Sequence, residues 1–318
     1  MKIGLVDVDR RSVRGKRMGK TLDFPNLALM KISAWHKARG DEVEWHFGLT
    51  HYDRVYMSKV FTFSPDYPIW PDADEVIQGG TGYGKYEDLP QEIDDMYPDY
   101  SIYPDFPSAV GFLTRGCIRN CPWCVVPRKE GRIRPYRTWQ EVARPDSNEI
   151  IFLDNNILAS EYGLDQVRQL SETRYKIDFN QGLDARLITP EVAQILARVH
   201  WLRFLHTACD TSEMIPVLER AVGYLRDAGL KPYKILCYNL VRDVDEGYDR
   251  VMKMRALGIN PYVQPYRDFE TNSPPTQQQK DLARWVNNKF VFKSCTWEEY
   301  QKDRARRREK AQNRKSRR

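Results

Sequence analysis

Cys117, Cys121 and Cys124 lie in the run Thr114-Arg115-Gly116-Cys117-Ile118-Arg119-Asn120-Cys121-Pro122-Trp123-Cys124, a C-x3-C-x2-C spacing. Three thiolates this close can grip one metal centre. A [4Fe-4S] cluster takes one cysteine on each of its four irons, so three ligands leave one iron open to a small molecule. An open coordination position is a catalytic arrangement, by the logic that separates catalytic from structural zinc. A closed zinc site needs a fourth Cys or His, and none stands between Cys124 and His200, nor nearer upstream than His51. Three clustered cysteines cannot all pair as disulfides. The start Met1-Lys2-Ile3-Gly4-Leu5-Val6-Asp7 carries no signal peptide and no apolar run reaches membrane-spanning length, so a reducing cytoplasm and no membrane contact are expected.

This spacing resembles the signature of the radical S-adenosylmethionine (SAM) superfamily. The resemblance implies that the three cysteines hold a [4Fe-4S] cluster whose open iron binds the amino and carboxyl groups of SAM. An electron from the cluster then splits SAM to a 5′-deoxyadenosyl radical that takes hydrogen from a substrate. An external electron donor of the flavodoxin or ferredoxin type is implied as well. The superfamily favours an aromatic residue just before the third cysteine, near the adenine, and Trp123 holds that place. The following Val125-Val126-Pro127-Arg128-Lys129-Glu130-Gly131-Arg132-Ile133-Arg134 resembles the same region of tRNA methylthiotransferases, which keeps an RNA-modifying role open; the substrate itself is not identified. Two readings from other classes stand beside this one. An iron-sulfur electron-transfer or sensing protein would hold a cluster without turning over SAM, and a zinc-containing nucleic-acid module would need the missing fourth ligand.

The elements that must position these cysteines alternate β and α. Residues 109–113 read as a strand, and Thr138-x-x-Glu141 as a capping box opening a helix. Strands follow at 149–153, 175–180, 201–205, 233–241 and 260–266. Between them run helices through Leu164, Val167 and Leu170, from the Thr189-Pro190 cap, through Met214, Leu218, Val222 and Leu225 to Gly229, and up to Gly258. Consecutive βα units imply parallel strands and right-handed crossovers, hence a barrel or an open doubly wound sheet. The resemblance selects a partial six-stranded βα (TIM-like) barrel over residues 108–295. The cysteine loop then lands at the strand C-termini, the working face of such sheets.

Residues 1–93 read as a separate, small Rossmann-like α/β domain, with strands at 2–8, 42–47, 54–57 and 75–77 and a helix at 25–39 that aligns Leu29, Ile32 and Trp35. It resembles the cobalamin-binding-like domain of some radical SAM enzymes. The resemblance admits cobalamin, but the Asp-x-His-x-x-Gly run of cobalt-ligating members is absent, and Asp7-Val8-Asp9-Arg10 stands where it would be. The glycines of 79–84 fit either backbone approach to a phosphate or ring, or a tight turn. Residues 94–107 read as a linker.

Further polar residues fall at expected strand ends. Asp154, with Asn155 and Asn156, takes the place of the superfamily's Gly-Gly-Glu stretch; its carboxylate could accept from the SAM ammonium or make an Asx turn. Asn180, Gln181 and Arg186 resemble ribose and carboxylate contacts, unless they only satisfy loop backbone. His206 and Cys209 are the catalytic candidates, as acid or base and as radical quencher or ligand. The other reading of Cys209, shared with Cys237 and Cys295, is an inert buried thiol. Arg267 could bind an anionic group or pair with Asp268. The net charge of +6 is local: residues 301–318 hold ten Lys or Arg against Asp303 and Glu309, a +8 that leaves the body near −2. Residues 296–318 are therefore expected as a basic tail, disordered or a fraying helix, that attracts nucleic acid non-specifically.

Overall fold

The computed structural model describes residues 1–10, 24–268 and 271–315. Its strands are β1 (Lys2–Asp7), β2 (Glu42–Trp45), β3 (Tyr52–Ser58), β4 (Ala73–Gly79), β5 (Ala109–Gly111), β6 (Thr114–Arg115), β7 (Arg134–Pro135), β8 (Glu149–Phe152), β9 (Lys176–Phe179), β10 (His200–Trp201), β11 (Leu205–Ala208), β12 (Ile235–Val241) and β13 (Asn260–Pro265). The helices are α1 (Leu27–Ala38), α2 (Gln91–Asp94), α3 (Val126–Lys129), α4 (Trp139–Val142), α5 (Glu161–Leu170), α6 (Pro190–Arg198), α7 (Ile215–Asp227), α8 (Val244–Ala256), α9 (Gln277–Asn287), α10 (Lys289–Ser294) and α11 (Trp297–Lys315). None is long and apolar enough to cross a membrane among the described residues.

The protein is α/β with parallel sheets. The N-terminal strands run in the order β2-β1-β3-β4, all parallel. The others fall into a four-stranded sheet, β10-β9-β8-β5, and a three-stranded parallel sheet, β11-β12-β13. No closed barrel is found among the described strands. The expected fourth strand at 201–205 is broken in two: β10 ends at Trp201 and β11 starts at Leu205, which moves His206 from a strand-end loop into a strand.

Two compact units form, one of Met1–Gln166 with Arg174–Ile177 and one of Val167–Thr173 with Asp178–Arg318. In the first, α1 carries the packing. Its Asn26 cap accepts from Leu29 N, and Leu29, Met30 and Ile32 are buried with Ile3, Leu5, Ile102, Tyr103, Phe106 and Val110. The expected linker 94–107 is thus built into a core. Asp94 accepts from Lys31 Nζ at 2.8 Å, and Asp99 accepts from Ser33 Oγ at 2.6 Å and Lys37 Nζ at 2.7 Å. Aromatic burial without periodicity gives no strand or helix signal, which is why this stretch resembles a connector in sequence.

In the second unit, Val241 and Val263 pack with Leu282, Trp285 and Val286 of α9, and the start of α11 closes this core through Trp297 and Tyr300. Of the two forms expected for the tail, the helix is the one observed. Asp281 accepts from Arg284 and Arg308 and forms an ion pair with Arg304, which fastens α11 to α9. Lys302, Arg306, Arg307 and Lys310 are exposed, and residues 316–318 of the expected tail lie outside the described residues.

Candidate functional site

The cysteine run is an excursion from a small antiparallel ladder. Thr114 pairs with Pro135 and Arg115 with Arg134, so the loop leaves after β6 and returns before β7. Gly116 has φ +86°, and a Cβ there would lie 2.4 Å from Arg132 O; only glycine fits this base. Cys117 N donates to Gly131 O at 3.1 Å, closing the loop. Glu130 ties it from inside. Its side chain is 5% exposed and accepts from Arg115 Nε at 3.0 Å, Gly116 N at 3.0 Å and Asn155 Nδ2 at 2.8 Å. Burial pushes the Glu130 carboxyl up, but the Arg115 guanidinium and the Gly116 amide outweigh it and hold the group below its ordinary range.

The three thiols are partly exposed and free of disulfides. Cys117 Sγ accepts from Arg119 N at 3.3 Å and from Asn156 Nδ2 at 3.5 Å. Cys124 N donates to Cys121 O at 3.0 Å, a tight turn that puts Pro122 and Trp123 at the loop tip. No group of three His, Cys, Asp or Glu side chains that could hold a metal ion is found among the described residues. A four-iron cluster places its thiolates on separate irons, so it asks for thiols around a cluster-sized space and not around one ion. The donor set fits on its chemistry: three thiols outside any disulfide on one anchored loop, with N–H groups aimed at one sulfur.

Asp154 has a structural task at the base of this loop. It is 2% exposed, and its carboxylate accepts from Leu113 N at 3.0 Å, Thr114 N at 2.5 Å and Thr114 Oγ1 at 2.7 Å. Burial pushes its pKa up to about 6 against these donors. These bonds fasten it to the turn between β5 and β6, so it anchors the base of the cysteine loop. Asn155 is likewise engaged by Glu130.

In the second unit, Asp184 accepts from Arg186 Nε at 2.6 Å and Nη2 at 3.0 Å, so the expected ligand-binding guanidinium is held by its neighbour. Asn180 O accepts from Tyr238 Oη at 3.0 Å, and Gln181 is exposed beside Gly182, whose φ is +90°. Cys209 is fully buried and burial pushes its thiol up to about 12; Cys237 is buried and shifted well above the usual range. Such thiols are not thiolates at neutral pH, so Cys209 is no ready nucleophile or metal ligand. Arg267 Nη1 donates to Asn272 O at 3.0 Å. His206 is buried, with Nδ1 2.8 Å from Asp178 Oδ1. Asp178 belongs to no motif, and only its place beside buried Ile177 and Phe179 in an alternating strand marks it as facing the other way.

The glycine loop of the N-terminal sheet is a turn. Gly82 N, Tyr83 N, Gly84 N and Lys85 N all donate to backbone carbonyls of 59, 80 and 81, and a Cβ at Gly80 would lie 2.4 Å from Lys59 O. Amides spent in this way do not cradle a phosphate. The Asp7 carboxylate accepts from Tyr103 Oη at 2.7 Å, and Asp9 from Ser64 Oγ at 2.5 Å, so the residues in place of a cobalt-ligating run serve the fold. No protein-family model matches the chain, and no curated protein matches it.

Proposed function

We propose that this protein is a radical SAM enzyme acting on an unidentified substrate. The observation that carries the reading is the cysteine loop itself: three half-exposed thiols outside any disulfide, on an excursion following the first strand of the βα series, closed by Gly116 and Glu130. When bound, a [4Fe-4S] cluster supplies the electron for reductive cleavage of SAM, which starts radical chemistry on the substrate. Cys117, Cys121 and Cys124 would hold the cluster, and Trp123 would contact the adenine of SAM. Asp154 and Glu130 fix the two ends of the loop, so the thiols are presented without a large ordering cost at loading. Asn180 and Gln181 remain contacts for SAM or substrate. The partial barrel, a flavodoxin- or ferredoxin-type donor and a cytoplasmic setting belong to the same proposal, as does non-specific attraction of nucleic acid to the exposed cations of α11.

The test is anaerobic reconstitution followed by iron and sulfide analysis and chromatography of 5′-deoxyadenosine. About four irons per chain are expected in the wild type and none when all three cysteines are Ala. A cluster retained by that triple variant overturns the ligand assignment. A loaded wild type that never yields 5′-deoxyadenosine with dithionite or reduced flavodoxin supports the electron-transfer reading instead.

A further inference from the structure

One face of the second unit's sheet carries groups that SAM cleavage does not use. Along β12, Ile235, Cys237, Asn239 and Val241 are buried towards the helices: Asn239 Nδ2 donates to Gly247 O of α8 at 3.0 Å, and Arg250 Nε donates to Asn239 Oδ1 at 2.9 Å. The pleat turns Leu236, Tyr238 and Leu240 the other way. Register extends this second face, since His206 stands opposite Leu236 and Tyr238 opposite Tyr262. Asp178, in contact with His206, joins it from β9. Strands β9, β11, β12 and β13 thus each contribute one side chain to a row.

The row has the shape of a ring-binding surface. The His206 and Tyr238 rings are 5.3 Å apart and tilted by 37°, and Tyr262 meets Tyr238 edge-on at 5.8 Å. Tyr262 is 40% exposed and Gln264 beside it on the same face is exposed, so this end is open to an incoming molecule. The other end is polar. The His206 side chain is 10% and the Asp178 side chain 15% exposed, and although Nδ1 and Oδ1 are 2.8 Å apart, neither atom makes an aligned hydrogen bond. A buried polar pair with unspent bonding capacity is costly in an otherwise satisfied interior and points to a missing partner.

That partner must offer a flat π surface to the rings and both N–H donors and acceptors at its edge to the carboxylate and imidazole. An aliphatic substrate leaves the rings unused, and a bare phosphate meets a carboxylate. A purine or pyrimidine base supplies both features, as bases taken out of a stack are read by ring contact and edge hydrogen bonds. We propose that this face recognises a nucleobase of the substrate, packed against the rings of Tyr238 and Tyr262, face to one and edge to the other, and read at its edge by Asp178 and His206. Calling the base a substrate rests on the radical SAM reading, which assigns the cofactor's own adenine to Trp123.

The experiment is a binding titration of the full, cluster-loaded chain with adenosine, guanosine, cytidine and uridine, with S-adenosylhomocysteine present at saturation and, separately, absent. One nucleoside is expected to bind with unit stoichiometry in both conditions. Tyr262→Leu, at an exposed position, and the near-isosteric Asp178→Asn are each expected to weaken it about tenfold or more. No binding by any of the four, affinity unchanged in both variants, or displacement by S-adenosylhomocysteine overturns the proposal; the last would mean the face belongs to the cofactor. Failure of the radical SAM reading shows separately, as absence of iron or of 5′-deoxyadenosine, and leaves the nucleoside titration without S-adenosylhomocysteine as the measure of this site.

Discussion

Asp154 and Asp178 are both carboxylates of the βα series and both are largely out of water, yet they are employed in opposite ways. Asp154 is met by two backbone amides and a hydroxyl at the turn into the cysteine loop. Asp178 meets one imidazole, off-line, on a face lined by tyrosines. The difference separates a carboxylate that holds the fold from one that awaits a ligand, and it is visible only once donors are counted atom by atom. Position along the strand would have ranked them the other way, because Asp154 follows a strand end and Asp178 lies inside β9.

The strongest way to probe the anchored side is Glu130→Gln, which leaves the Arg115 guanidinium buried against a neutral group. A loss of about 3 to 5 kcal/mol in urea unfolding is expected, together with poorer cluster loading. Unchanged stability would show that the buried pair does not hold the loop. Asp154 gives the next effect, through pH. Its folded pKa of about 6 lies above the unfolded value near 3.8, so its contribution to stability is fully present below about pH 4 and is lost as pH rises through 6. The change amounts to about 3 kcal/mol, and it should vanish from the urea pH profile of Asp154→Asn. A profile identical in that variant contradicts the assignment. Asp178→Asn is expected to alter stability by less than about 1 kcal/mol, because no backbone group depends on it; a loss as large as that of Glu130→Gln would erase the contrast drawn here. Smallest is Arg308→Ala on α11, within about 0.5 kcal/mol, since the half-exposed guanidinium is one of three on Asp281. That residue serves as the surface reference for the other variants.

Much of the architecture was legible because periodicity and caps agree. The Thr138 capping box and the Thr189-Pro190 start are present, and Gly229 and Gly258 stand just past helix ends with positive φ. The cysteine spacing was legible for the same reason: local residues form one loop. What escaped was non-local. Glu130 lies within the recognised run, but its partners Arg115, Gly116 and Asn155 are 14 to 25 residues away. His206 sits inside a strand because the chain around Arg203 and Phe204 breaks the pattern between β10 and β11. Residues 94–107 lacked a period and still fold, since Ile102, Tyr103 and Phe106 find their partners across the first unit's core.

Burial of Cys209 and Cys237 also divides the thiols into two chemical populations. The buried pair is kept protonated and out of reach of oxidants, alkylating agents and free iron. Exposure to air therefore spends itself on the loop cysteines, with Cys295 the only other half-exposed thiol. Thiol oxidation that stops at the sulfenic or disulfide stage at these exposed positions is reversed by a reductant without unfolding the core around Cys209 and Cys237.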